Sequence, residues 1–546
     1  MEMSRRMCRK KSLQRRDVWV LFCLSLAVRL FVAALVSRPG YMDTAYYAAG
    51  AVRLARGGDL SDPFLWNYLG DPLGLPHPGF LYWMPLPSLL AAPFAALFPG
   101  SFFALQIPFI ILSALLPLVT FGLAWETTGR RLTAWLAGLL SLFSGFFFPY
   151  WTLPETFAPF ALFGSLVLWL SARRGTGVGG SLGRGALSAS CLLPLISGGL
   201  VGLAHLTRAD GILLLPVVAL AVFVSVPSRR ACSGASVSIC HLLICHLSFL
   251  VLGYLLVMAP WFARNLAVIG TPLSPAGTKT LWLRNYDDLF CYGCDLSLRS
   301  YLEWGWLNIL RSKLWAMGVN GARFLAEDCL VFLLPFVLVG LIRLRRHSSF
   351  ALATIYLILI YLAHSLAFTF PGPRGGFFHA STPALPFLFV AGVKGLETAV
   401  SWTARRRCWD LHQAQAVFAV AVGVGALALS AYAAVQKLPV WQQADEPYLE
   451  IGDWLAQQGV KEETVMVGNP PAFWYHTGHS ALVVPNGGVA TLLAVADRYG
   501  AAYLVIDPNR PEPLAELDED MEIMGLAPVA TFDGGRVQLY RLAGTP

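Results

Sequence analysis

Eleven apolar windows, each near the length needed to cross a lipid bilayer, constrain this chain more than any motif in it. They lie near 18–37, 101–125, 132–150, 156–171, 186–204, 211–227, 240–262, 325–343, 350–370, 380–400 and 414–435. A hydrocarbon core about 30 Å thick asks for about 20 apolar residues per helix. The composition agrees: of 546 residues, 56% are hydrophobic and 13% charged, against about 25% charged in an ordinary soluble domain. The expected fold is a polytopic α-helical membrane protein with about 11–13 spans.

The net charge of +8 does not point to nucleic acid. Lys and Arg gather in short runs beside apolar windows, the pattern of cytoplasmic loops, and no basic face interleaved with stacking aromatics accompanies them. The basic N-terminus (residues 1–17), Arg130–Arg131, and the loops 172–185, 228–236, 343–347 and 405–407 are therefore expected inside. The first window, Val18–Ser37, is long for a signal-peptide core and lacks a small-residue cleavage site, so it reads as a retained helix.

Parity between the N-terminus and Arg130–Arg131 holds if residues 80–98, apolar but broken by Pro85, Pro87 and Pro93, form a re-entrant or surface hairpin. The outer face then receives a large first loop (38–100), the turns 151–155, 205–210 and 371–379, a long loop (263–324), and everything after about 436. The glycine-rich stretch 175–185 lacks the Lys-Ser/Thr ending of a phosphate loop and reads as a linker. The pair Cys291 and Cys294 lies in an outer loop and reads as a disulfide or two thiols rather than a metal site.

Beyond the transmembrane module (18–435) the chain changes character. Strand-like runs at 464–468, 481–485, 503–507, 528–532 and 537–542 alternate with helix-like stretches at 448–458 and 488–500. This predicts a small C-terminal α/β domain (436–546). It carries no cofactor motif and reads as an accessory domain on the outer face.

The topology brings ionisable residues to one side: Asp43 early in the first loop, His77 further along it, Glu155 at the head of a span, His205, Arg208 and Asp210 in one turn, Arg264 ending a span, and Arg374 and His379 in the last turn. Ionisable groups at membrane depth are costly and usually face a bundle interior or aqueous cavity. A carboxylate can deprotonate an acceptor as general base, and arginines can hold a phosphate bidentately as it leaves. With a lipid-linked phosphate as donor, those parts suit group transfer at the outer face.

The order PGYMDTAYY, HPGFLYWMPLPSLLAAPF, PETFAPFALF, LTRADGILLLP, WFARNLAVIGTPLSP and RGGFFHASTPALPFLF resembles the GT-C fold membrane glycosyltransferases. The resemblance is to the bacterial members related to protein O-mannosyltransferases and aminoarabinose transferases. It implies a polyprenyl-phosphate-linked hexose or pentose donor, inversion at the anomeric carbon, and catalysis in an outward-facing cavity. Asp43 takes the place of the catalytic acid of the first loop, and Glu155 that of the second acidic residue. His77 stands near the lipid phosphate, with Arg208, Arg264 and Arg374 as candidates to hold it. Thr44 departs from the family pattern, which often has a second acid there, and argues against a paired-carboxylate metal site. No cofactor is required by this reading, and a divalent metal is left open. The acceptor is a protein, a lipid or a cell-envelope glycan. Two other classes compete: a lipid-carrier flippase, which should show internal repeats, and a non-catalytic glycan-assembly subunit.

Overall fold

The computed structural model describes residues 15–173, 184–225, 239–508, 510–514 and 526–542. The glycine-rich stretch 175–183, the basic loop 228–236 and most of the N-terminal basic run fall outside the described residues. Among the described residues, six helices are long and apolar enough to cross a membrane, and six shorter apolar helices accompany them.

The chain enters through α1 (Arg15–Ala34), then forms the first loop with α2 (Met42–Ala55), strands β1 (Ser61–Asp62), β2 (Phe64–Leu65) and β3 (His77–Pro78), and α3 (Leu86–Leu97). Twelve residues of α3 extend only about 18 Å, short of a hydrocarbon core, before Pro99-Gly100 turns the chain into α4 (Phe102–Thr128). Next come α5 (Arg131–Leu142), α6 (Phe157–Ser171), α7 (Arg184–Thr207), α8 (Leu214–Ser225) and α9 (Ile239–Ile269). The long loop carries α10 (Pro275–Lys279), α11 (Leu298–Glu303) and α12 (Trp306–Arg323). Returning to the bundle are α13 (Leu334–Leu344), α14 (Ser348–Leu362), the single turn α15 (Phe377–Ala380), α16 (Leu385–Arg407) and α17 (Leu411–Ala444).

Several apolar windows are not continuous helices. The 132–150 window stops helically at Leu142, where Ser144 and Gly145 break it, and resumes as a 3-10 turn over Gly145–Tyr150. Arg29 of α1, fully buried, donates to the Leu142 carbonyl at 3.2 Å and lies over the Phe148 and Trp151 rings. A cation at a helix C-terminus satisfies carbonyls the helix leaves open. The 325–343 and 350–370 windows are likewise interrupted by π turns at Phe324–Asp328 and Ala363–Ala367. Such turns re-aim side chains without unfolding the helix.

Behind these breaks, α16 is the most buried long helix of the bundle. It meets α13 so closely that a Cβ on Gly340 would lie 2.9 Å from the Ala391 Cα. Small residues at such crossings let backbones approach and gain van der Waals contact.

The C-terminal region holds α18 (Glu446–Gln457), β4 (Thr464–Val467), α19 (Pro470–Thr477), β5 (Ala481–Val483), α20 (Val489–Tyr499), β6 (Ala501–Ile506), β7 (Leu526–Phe532) and β8 (Val537–Leu542). All five expected strands and both expected helices are present. The sheet order is β2-β5-β4-β6-β8-β7, so a first-loop strand completes the C-terminal sheet. It pairs parallel to β5, with Phe64 opposite Ala481 and Leu65 opposite Leu482. Leu65 and Tyr68 are buried in the same core as Met466, Leu482 and Leu504, and the Tyr68 hydroxyl donates to the Val483 carbonyl at 2.5 Å.

Candidate functional site

The first loop folds back on this sheet, and the fold-back places Asp43. Gly40 has φ +75, a conformation that L side chains avoid. Its N–H donates to Asp445 Oδ2 at 3.1 Å, and His476 Nε2 of α19 meets the same oxygen at 3.0 Å. Tyr41 then ends the extended segment, and Asp43 sits in the first turn of α2, where the helix N-terminus favours a negative group.

Three of the expected residues converge there. His379 Nδ1 lies 3.1 Å from Glu155 Oε1 and 2.9 Å from Thr156 Oγ1, while its Nε2 lies 3.9 Å from Asp43 Oδ2. Phe157 stacks on the His379 ring at 4.0 Å and fixes its plane. Tyr41 donates to Glu155 Oε2 at 2.6 Å. The side chain of Asp43 is 33% exposed and that of Glu155 only 1%, so the cluster opens on the Asp43 side.

Electrostatics divide the two carboxylates. Desolvation by the surrounding protein pushes Asp43 up to about 6, opposed by the charge of Arg208. Burial, and then the negative charge of Asp43, push Glu155 well above the usual carboxylate range. Two coupled carboxylates separated in this way give one base poised near neutrality and one acid that keeps its proton.

Arg208 is the nearest cation by effect, since its charge acts on both Asp43 and Glu155. Asp210 holds it bidentately, Nε to Oδ1 at 3.0 Å and Nη2 to Oδ2 at 2.7 Å. Asp210 Oδ2 also meets His364 Nε2 at 3.1 Å. Asn320 of α12 is buried below, donating to the His364 carbonyl and Ser365.

The remaining expected residues are not joined to this cluster. The ring nitrogens of His77 lie beside two main-chain carbonyls, Nδ1 at 2.9 Å from that of Pro78 and Nε2 at 3.0 Å from that of Phe64, and the one that carries the proton donates, bracing the first loop. His205 Nδ1 meets the Tyr254 hydroxyl at 2.8 Å and ties α7 to α9. Arg264 donates to the Leu60 carbonyl at 2.6 Å, anchoring the end of α9 to the first loop. Arg374 is exposed and lies over the Tyr286 ring at 4.9 Å. Cys291 and Cys294 form a disulfide.

Tyr41, Thr156 and His364 were not singled out by the sequence. A histidine inside the apolar window 350–370 is itself the signal that finds His364, because membrane-depth ionisable groups seek partners. Asp43, Glu155 and His379 each bring one oxygen or nitrogen within 4.8 Å of the others. Two carboxylates and an imidazole form a donor set that suits a divalent cation.

The sequence matches no family model and no curated protein. Solved structures do share the fold. ArnT from Cupriavidus metallidurans bound to undecaprenyl phosphate superposes with a TM-score of 0.58 at 16% identity, covering 98% of this chain and 99% of that one. Its apo state gives 0.56, also at 16% identity, over 96% and 97%. An oligosaccharyltransferase from Archaeoglobus fulgidus in the apo form gives 0.51 at 13% identity, covering 90% of this chain and 70% of that one. The chain is a polytopic membrane protein of the GT-C fold, with a small C-terminal sheet domain.

Proposed function

We propose that this protein transfers a sugar from a polyprenyl-phosphate carrier to an acceptor at the extracytoplasmic face. The observation that carries the reading is the Asp43–His379–Glu155 cluster, opening beside Arg208 where the first loop meets the C-terminal sheet. Its fold is shared with a protein solved with undecaprenyl phosphate. In this reading the first loop, the long loop and the C-terminal domain (436–546) lie outside, and the basic loops lie inside.

The acceptor hydroxyl or amine attacks the anomeric carbon as Asp43 takes its proton. The bond from that carbon to the phosphate oxygen breaks, and the electron pair leaves on the polyprenyl phosphate. Attack opposite the leaving group inverts the centre. A base near pKa 6 is populated at neutral pH yet still basic enough to share the proton in the transition state. Arg374 has no ion-pair partner among the described residues and is the arginine best placed to meet the phosphate. Arg208, already neutralised by Asp210, sets the potential at Asp43. A divalent cation held by Asp43, Glu155 and His379 would displace the Glu155 proton and offset their charge, so the acid and base roles above belong to the metal-free site. Elemental analysis of purified protein checks this, and full turnover by metal-free protein excludes it.

The deciding experiment follows release of free undecaprenyl phosphate by purified protein given a sugar-charged carrier and candidate acceptors. Asp43→Asn should lower turnover about 10³-fold, within the range of lost general-base catalysis. Wild-type turnover by Asp43→Asn would remove Asp43 from the chemistry.

A further inference from the structure

Three tyrosines stand around Asp43 with hydroxyls that no group among the described residues takes up. Tyr47 lies one turn along α2, Tyr82 comes from the end of the first loop, and Tyr286 from the long loop. The Asp43 charge reaches all three phenols, and Tyr286 also acts on Tyr82. None has a hydrogen-bond partner among the described residues. Several other buried phenols are braced, among them Tyr46 on Asp62 at 2.8 Å, Tyr254 on His205 at 2.8 Å and Tyr356 on the Ala380 carbonyl at 2.8 Å, whereas the buried Tyr301 hydroxyl is not. The three hydroxyls are not sealed inside the protein, so beside one carboxylate they stay open to a ligand that offers hydrogen-bonding groups.

Their rings are held in place. Tyr82 stands edge-on to Trp66 at 4.9 Å, and Trp66 stacks on Trp83 at 4.1 Å. Tyr286 meets Phe290 edge-on at 6.2 Å, with the Arg374 guanidinium over its ring. Both tyrosines pack on one small core of Leu69, Ala276, Leu283 and Leu289, yet remain partly exposed. Lys279 Nζ donates to the Leu69 carbonyl at 2.7 Å and the Tyr68 N–H to the Leu289 carbonyl at 3.1 Å, so the long loop is fastened over the first. Burial, and then the Asp43 charge, push the Tyr286 phenol up to about 12, which keeps it a neutral donor.

We infer that Tyr47, Tyr82 and Tyr286 form the glycosyl subsite. The Tyr82 and Tyr286 rings flank the apolar faces of the donor's sugar, and the three hydroxyls bond its hydroxyl rim beside Asp43. A sugar ring combines flat C–H surface with a polar edge, and tyrosine offers the matching combination. Neutral phenols also leave the phosphate to the arginines. This inference rests on the proposed glycosyl transfer, and it predicts that the subsite recognises the sugar rather than the carrier.

The test compares binding of undecaprenyl phosphate alone with undecaprenyl phosphate carrying glucose, mannose or arabinose, each to the detergent-purified full chain. Wild type should bind at least one charged carrier more tightly than the bare one. Tyr82→Ala should weaken that carrier about tenfold and leave bare-carrier affinity unchanged. Tyr82→Phe, which keeps the ring, should recover most of the loss. Equal weakening of bare and charged carriers, unchanged affinity for both, or wild type that never prefers a charged carrier would each overturn the subsite. If the tyrosine variants weaken an acceptor glycan instead, the subsite belongs to the acceptor and the donor assignment is wrong. Turnover by Asp43→Asn bears on the transfer reading alone, so the two failures are distinguishable.

Discussion

Gly40→Ala tests whether the C-terminal region holds the reactive loop in register. At φ +75 an alanine costs about 1–2 kcal/mol from the left-handed backbone alone. Its Cβ would also lie 2.7 Å from the Trp441 Cα and 2.8 Å from the Trp441 carbonyl oxygen. Those are backbone atoms of α17 and cannot swing aside, so the loop must move by about 1 Å. The hydrogen bond from Gly40 to Asp445 at 3.1 Å stretches with it, and a buried carboxylate oxygen loses a donor, worth about 1–3 kcal/mol. Asp43 lies three residues on, and a misplacement of about 1 Å near the chemistry costs about 100-fold in rate. Steady-state release of undecaprenyl phosphate should therefore show kcat down about 100-fold with donor KM nearly unchanged. Thermal unfolding in detergent should shift modestly, since the rest of the bundle is untouched. Asp445→Asn keeps an acceptor oxygen for Gly40 and should retain most activity. A Gly40→Ala variant with kcat within about twofold of wild type would refute the idea that this contact sets Asp43.

Two further outcomes follow from the same site. In the proposed mechanism Asp43 acts unprotonated, and with its pKa raised to about 6 kcat/KM should climb about tenfold per pH unit below 6 and flatten above it; a flat profile from pH 5 to 7 would exclude it as the base. His364→Ala should lower kcat/KM about tenfold by releasing Asp210, whose bidentate grip orients Arg208. His364→Gln should restore part of it, a rescue that loss of packing alone would not give.

Much of the fold is legible in the sequence because apolar length and strand–helix alternation are local signals. The windows at 18–37, 101–125 and 414–435 became α1, α4 and α17, and the strands from Thr464 to Leu542 fell where alternation placed them. The breaks were less visible, because a π turn such as Phe324–Asp328 leaves hydropathy unchanged. The helix α19 was not among the expected elements, although Pro470 and Pro471 at its start suit a first helical turn. Strand β2 has only two residues, and nothing local marks Phe64-Leu65 as the partner of Ala481-Leu482. Among candidate site residues, Asp43, Glu155 and His379, which the topology put on one side, converge in the structure. Arg208 and Asp210 are legible as one turn, but their contact with His364 is not. The His77 and His205 assignments could not separate a braced ring from a working one, since that depends on carbonyls and hydroxyls distant in sequence.

Pairing β2 with β5 also has a consequence for how the protein is made. The segment bearing Asp43 is synthesised near the beginning of the chain, whereas the strand that anchors it emerges near the end. Chains grow from the N-terminus and domains fold as their parts appear, so the first loop must wait, unanchored, while the membrane helices are inserted. A chain stopped after α17 would hold Asp43, Glu155, Arg208 and His379 but lack β5, His476 and the rest of the sheet. On the proposed reading, reactivity would thus arrive last, at the moment the final strands close over the first loop, and incomplete copies would sit in the membrane with the Asp43 site unassembled.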